Sequence, residues 1–199
     1  MIPIANVQAF SLSDFPGTPA AIIFTQGCNF NCAYCYNKEL IPITSFCKDN
    51  MQVWDETFQF LRRRSGALAG VVFTGGEPLL HGMNLAYVLD EVKHLGFKVK
   101  VDTNGAFPEM LGWIVGEELV DYVALTVKAP WEKYGSITQL QKYSVDKVRA
   151  SLELLKNSSV PFEVRTVKYK NIIVDEDVEI IKAYLPPKVA HIVTNAILI

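Results

Sequence analysis

Short apolar runs alternate along this chain with longer stretches whose apolar positions recur at helical spacing. Ala20-Ala21-Ile22-Ile23-Phe24-Thr25 reads as a first buried strand that feeds straight into a cysteine-rich loop. Met51 to Arg64, with Val53, Trp54, Phe58 and Leu61 at roughly helical spacing, reads as the first helix. Further strands are expected over Val71 to Thr74, Lys98 to Asp102, Tyr122 to Val127, Phe162 to Val167 and Val189 to Val193. The helices between them run from Leu85 to Leu95, from Met110 to Leu119 despite Gly112 and Gly116, from Ser144 to Lys156, and from Asp175 to Tyr184.

Repeated strand, helix, strand units predict an α/β fold with a parallel sheet and right-handed crossovers. Six such units are too few to close an eight-stranded barrel. The chain has 199 residues, half of them apolar, enough for one substantial core. No linker or low-complexity tract divides it, so a single domain over 1–199 is expected, with 1–19 as a lead-in segment and 20–199 as the repeating unit.

Charge narrows the function. The formal net charge is −2 and the 19 basic residues are dispersed, which gives no electrostatic footprint for nucleic acid. Arg62-Arg63-Arg64 reads as a helix end, where cations oppose the negative end of the dipole. There is no run of 18 apolar residues and no secretory pattern at the N-terminus, so neither a membrane span nor export is expected. The four cysteines, three of them close together, do not resemble a secreted disulfide framework; a reducing, cytoplasmic setting fits.

Those three, Cys28, Cys32 and Cys35 in Cys-Asn-Phe-Asn-Cys-Ala-Tyr-Cys, carry the most specific chemistry. Three thiolates close three corners of a four-iron cluster and leave the fourth iron open, whereas cubane clusters normally take four cysteines. An open iron can bind a substrate. The spacing also differs from the paired Cys-x-x-Cys knuckles of zinc sites. Cys47 lies farther along, after Ile41-Pro42-Ile43, and reads as a buried or incidental thiol. His81, His94 and His191 show no metal-ligand spacing.

A second signature, Phe73-Thr74-Gly75-Gly76-Glu77-Pro78, directly follows the strand-like run Gly70-Val71-Val72. Together the cysteine loop and Gly-Gly-Glu-Pro resemble the radical S-adenosylmethionine superfamily. The resemblance implies a partial (β/α)6 barrel, TIM-like, with a [4Fe-4S] cluster and S-adenosylmethionine at the C-terminal ends of the strands. Both signatures begin where a predicted strand ends, the place where such sheets put their ligands.

The resemblance narrows further to activating enzymes of glycyl radical proteins, through Asp102-Thr103-Asn104-Gly105 after the third strand and Lys128-Ala129-Pro130 after the fourth. Phe10 to Gly17 is similar to the leading segment of activators of anaerobic ribonucleotide reductase. On this resemblance Cys28, Cys32 and Cys35 hold the cluster, and Tyr34, Tyr36, Gly75, Gly76, Glu77, Asp102, Asn104 and Lys128 surround S-adenosylmethionine. Tyr34 is the aromatic near the adenine, Glu77 accepts from the cationic amino group, and the two glycines let backbone approach the cofactor. The implied partners are a glycyl radical protein and a flavodoxin- or ferredoxin-type reductant.

Each of these residues has a plainer reading. Asp102 can begin an Asx turn, Asn104-Gly105 is an ordinary turn pair, Lys128 can be a solvated loop lysine, and Gly75-Gly76 a tight turn. The chain departs from the activator pattern at Tyr36, where histidine is usual, at Thr126 in place of aspartate, and at Val167 in place of threonine; it stops at Ile199, just after the sixth strand. On the resemblance, that stop leaves one side open to a polypeptide substrate. Two other readings stay open: a radical enzyme acting on a small metabolite or peptide, and an iron-sulfur electron-transfer or scaffold protein.

Overall fold

Seven strands form one sheet in the order β1-β2-β3-β4-β5-β6-β7. The computed structural model describes residues 1–43, 48–138 and 142–197, and within them all side chains except those of 48–50 and 142–144. The strands are β1 (Ile4–Ser11), β2 (Ala20–Thr25), β3 (Gly70–Gly75), β4 (Lys98–Thr103), β5 (Tyr122–Thr126), β6 (Phe162–Lys168) and β7 (Ala190–Asn195). From β2 to β7 every pairing is parallel, and helices form the crossovers. These are α1 (Lys48–Arg64), α2 (Met83–His94), α3 (Pro108–Gly116), α4 (Tyr134–Thr138) with α5 (Lys142–Lys156), and α6 (Asp175–Lys182). The result is the curved, open parallel sheet of a partial barrel.

The sheet's two faces are built differently. Ala21, Ile23, Val71, Phe73, Val99, Val101, Val123, Leu125 and Val164 point toward the helices and join Trp54, Leu61, Leu89, Leu111 and Leu152 in the main core. Side chains alternate along a strand, so the neighbouring residues line the concave inner face. There Ala20, Ile22 and Val72 pack around Phe15. Further along the inner face come Lys100, Asp102, Glu163 and Arg165, joined by ion pairs.

Two expectations need correction. Residues 1–19 are more than a lead-in: β1 pairs antiparallel with β2, which makes seven strands where six were read. Its burial follows neither period, being exposed along most of its length and shifted in register twice, so no alternation marked it. The chain then turns at Gly17, where φ is +65°, and drives Phe15 into the inner face. The third helix starts and stops earlier than its apolar pattern suggested. Pro108 sits in its first turn, where a missing N–H costs nothing, and Glu118 takes φ +55°, which no helix continues through. Arg62, Arg63 and Arg64 do occupy the last turn of α1. Cys47 lies outside the described residues.

Candidate functional site

Register sets the site. Thr25 pairs with Gly75, so the cysteine loop and the Gly-Gly-Glu-Pro segment leave the sheet side by side. The loop is closed at its base by backbone bonds from Gly27 N–H to Leu40 O (2.8 Å) and from Cys28 N–H to Ile41 O (3.1 Å). Inside it, Cys35 N–H donates to Cys32 O, and Phe30 N–H donates to Cys28 Sγ at 3.4 Å. Phe30 is buried beneath the loop, and Ala33 N–H reaches Ile137 O of α4 at 3.0 Å.

Gly75 and Gly76 have a reason to be glycine within the chain itself. A Cβ on Gly76 would lie 2.0 Å from Gly27 O, and one on Gly75, at φ +108°, 2.6 Å from Thr25 N. Both would strike backbone, which cannot swing away. The pair therefore lets β3 close against the root of the cysteine loop, and Glu77 N–H completes that contact by donating to Gly27 O at 2.8 Å.

Glu77 is fully buried and accepts three hydrogen bonds. Leu79 N–H (3.0 Å) and Thr103 Oγ1 (2.7 Å) donate to Oε1, and Asn104 N–H (2.7 Å) donates to Oε2. Burial pushes its pKa up to about 7, and the three donors restrain that rise. The carboxylate thus fastens the end of β3 to the end of β4. Its Oε1 is fully occupied; Oε2, with two lone pairs and one donor, keeps an acceptor position.

The Asn104 side chain makes two short hydrogen bonds within the chain. Its Oδ1 accepts from Ala106 N–H at 3.0 Å, an Asx turn, while its Nδ2 donates to Asn29 Oδ1 of the cysteine loop at 2.8 Å. Asp102 is held by Lys100 Nζ at 2.5 Å and Arg165 Nη1 at 3.0 Å. Lys128 is no solvated lysine. Its Nζ lies 5.8 Å from the ring centroids of both Phe30 and Tyr34, and its backbone N–H donates to Tyr134 Oη. Burial works against its charge, but Tyr34, Cys32, Tyr134 and Cys28 favour it once ionised, and its pKa lies above the ordinary lysine value.

All eleven residues singled out in the sequence line a single cavity of about 360 Å³: Cys28, Cys32, Tyr34, Cys35, Tyr36, Gly75, Gly76, Glu77, Asp102, Asn104 and Lys128. The three departures from the activator pattern, Tyr36, Thr126 and Val167, open onto it too. Sequence reasoning missed Gly27, Asn29, Thr103, Lys100, Glu163 and Arg165, which hold these groups in place. The alternation Lys98-Val99-Lys100-Val101-Asp102 carried a usable signal, a polar inner face against an apolar outer one. Asn29 and Thr103 lay inside the two quoted motifs, but nothing there marked their bonds to Asn104 and Glu77, which are distant in sequence.

The donor set suits a three-thiolate cluster. Burial pushes the Cys28 thiol up to about 11 and also raises Cys32, while the Lys128 cation works against both rises. Among the described residues, no three Cys, His, Asp or Glu side chains are arranged around one metal ion. A cubane instead takes its thiolates at separate irons. Tyr34 Oη is buried with no hydrogen-bond partner, an orphaned group at the cavity wall.

Fold and site together define a parallel α/β partial barrel that gathers thiols and a glycine-lined shelf at its strand ends. The profile described as Radical SAM superfamily matches residues 22–185, and the chain belongs to that superfamily. It is a radical S-adenosylmethionine enzyme. A protein of Methanocaldococcus jannaschii, provisionally named a glycyl-radical enzyme activating enzyme, is 29% identical over 179 residues, covering 88% of this chain and 72% of the relative. A 7-carboxy-7-deazaguanine synthase of Thermococcus kodakarensis is 26% identical over 148 residues, covering 66% of this chain and 56% of that protein. The crystal structure of Streptococcus suis SuiB bound to S-adenosylmethionine superposes with a TM-score of 0.65 at 13% identity, over 87% of this chain and 39% of that one; it shares the fold. Among the described residues, no helix is long and apolar enough to cross a membrane.

Proposed function

We propose that this enzyme activates a glycyl radical protein, with Cys28, Cys32 and Cys35 holding a [4Fe-4S] cluster and S-adenosylmethionine lying in the cavity beside them. The observation that carries the reading is the common cavity: thiols, glycine shelf, buried carboxylate and enclosed lysine meet there from three different strand ends. When bound, the cluster and S-adenosylmethionine supply a 5′-deoxyadenosyl radical. The chain's own residues bind and orient. Glu77 Oε2 offers its remaining acceptor position to the cationic amino group, a charge-assisted bond. Lys128 supplies positive charge beside the thiolates, and the Tyr34 hydroxyl gains the partner it lacks.

In the target reaction a glycine Cα–H bond would break, its hydrogen atom passing to the radical that the bound group would supply, and the unpaired electron would be left on the glycine. The similarity to the Methanocaldococcus jannaschii protein, which extends over 88% of this chain, supports a glycyl radical target. The Thermococcus kodakarensis relative supports a second reading, a small heterocyclic substrate, as do Tyr36, Thr126 and Val167 on the cavity wall.

Electron paramagnetic resonance decides between them. Reduced enzyme with S-adenosylmethionine should give a glycyl radical doublet on a glycyl radical protein of the same organism. Silence of every such protein, with 5′-deoxyadenosine released only when a small metabolite is present, selects the second reading.

A further inference from the structure

Hydrogen bonds to the sulfurs of an iron-sulfur cluster help to set its reduction potential, because they steady the negative charge gained on reduction. The three thiols differ in this respect. Cys28 Sγ accepts from Phe30 N–H at 3.4 Å and lies 4.0 Å from Asn104 Nδ2. Among the described residues no amide N–H reaches the Cys32 or Cys35 sulfur in this way, and Cys32 has the Lys128 cation beside it instead.

The chain fixes which way the Asn104 amide points. Ala106 N–H can only donate, so the side-chain oxygen faces it, at 3.0 Å. The NH2 group is therefore turned toward the cysteine loop. One of its hydrogens has Asn29 Oδ1 as acceptor at 2.8 Å, and the second is left for the Cys28 sulfur. The backbone is held as well, by Asn104 N–H donating to Glu77 Oε2 at 2.7 Å. Asn104 is 6% exposed and Phe30 2%, so both donors act on the sulfur from inside the protein, where little water competes. A plain Asx turn after β4 needs only the Ala106 bond. The contacts to Asn29 and Cys28 span 75 and 76 positions of sequence and go beyond it.

We infer that Asn104 is a positioning residue for the cluster potential: it directs an N–H at the Cys28 sulfur and so raises the potential, and Asn29 holds the amide in that orientation. The inference rests on the reading that the three cysteines hold a [4Fe-4S] cluster. It concerns the uptake of one electron, in which an external reductant is oxidised and the cluster reduced, with no bond made or broken.

The test is a redox titration of the reconstituted enzyme followed by electron paramagnetic resonance. It is run without S-adenosylmethionine, so that contacts to that molecule play no part. Asn104→Ser keeps an oxygen for Ala106 N–H and removes the donor to sulfur. Its iron content should equal that of the wild type, and its midpoint should move to a more negative potential. Held at the wild-type midpoint, its ratio of reduced to oxidised cluster should be about two- to tenfold lower, the span of one ordinary hydrogen bond. Asn29→Ala should shift the midpoint in the same direction by less. The double variant should shift no further than Asn104→Ser alone, since Asn29 acts through Asn104. An unmoved or more positive midpoint in Asn104→Ser overturns the inference, as does a double variant whose shift is the sum of the two single ones. If Asn104→Ser holds no iron, Asn29→Ala decides, because it leaves the turn after β4 intact: a more negative midpoint supports the inference and an unmoved one overturns it. Iron is assayed first, since a wild type that binds none contradicts the cluster reading, and the inference with it.

Discussion

At the rim of the barrel, polar groups outnumber the partners that the chain supplies; one layer deeper on the inner face, the charges satisfy one another. Tyr34 Oη is buried and unpartnered at the rim, and Glu77 keeps one acceptor position. Below, Lys100 is fully buried between Asp102 and Glu163, and Arg165 bridges the same two carboxylates. Two cations meet two anions, and Tyr122 Oη donates to the remaining Glu163 oxygen at 3.3 Å. The difference separates a surface with unmet polar groups from a floor whose charges are met within the chain, with Asp102, which also lines the cavity, at the boundary. Phe15 and Tyr122, with ring centroids 5.9 Å apart, lie further along the same face and continue that floor.

The sharpest way to break the comparison is to remove a thiol. Alanine at Cys28, Cys32 or Cys35 should abolish a content of about four irons per chain, the count of a cubane. Cys47→Ala should leave it intact. Equal iron loss in the Cys47 variant, by iron assay and visible absorption, would contradict the three-ligand assignment.

The floor is tested next. Lys100→Met leaves Asp102 and Glu163 to share Arg165, and breaking a buried pair in this way costs about 3–5 kcal/mol. The effect should appear as a lower denaturation midpoint in the apoprotein, because Lys100 finds both of its partners within the chain. A midpoint within experimental error of the wild type would mean that the charges are solvated and the floor is open.

Glu77 belongs to both regions in turn, as brace and as acceptor, and Glu77→Ala strands three buried donors. Each stranded group costs about 1–3 kcal/mol, so the apoprotein should lose stability before any cofactor is added. Its pH dependence has a definite sign. The folded pKa is raised from 4.5 to about 7, so the folded state holds the proton where the unfolded state has released it. The stability contribution is complete below 4.5 and is lost as pH rises toward about 7. Denaturation of wild type and Glu77→Gln across that window should show the wild type weakening relative to the variant as pH rises; parallel curves would mean that the carboxylate is ionised throughout.

Much of this arrangement was legible from the chain. β2 was read with its observed bounds because Ala20 to Thr25 is apolar without interruption, as a strand covered on both faces must be. The two signatures could be placed at strand ends because strand ends can be read. β1 could not be read, since an exposed edge strand with two register shifts has no period to detect. The individual residues of the rim were legible, but the reasons for them were not. Gly76 was read as letting backbone approach a cofactor; that a Cβ there would also strike Gly27 O, a contact between segments that only the register brings together, was not. Glu77 was read as a free acceptor, although most of its capacity is spent on Leu79, Thr103 and Asn104. Sequence patterns show which face a residue occupies. They do not show which distant backbone group will meet it.

The central claim is that the rim completes itself with an open-cornered cluster and S-adenosylmethionine. Electron paramagnetic resonance of the reconstituted, reduced enzyme, recorded before and after S-adenosylmethionine is added, tests it most directly. The account predicts a cluster signal that changes in shape and g values on addition, together with release of 5′-deoxyadenosine. A fully loaded cluster whose spectrum is indifferent to S-adenosylmethionine, with no 5′-deoxyadenosine formed, would contradict it.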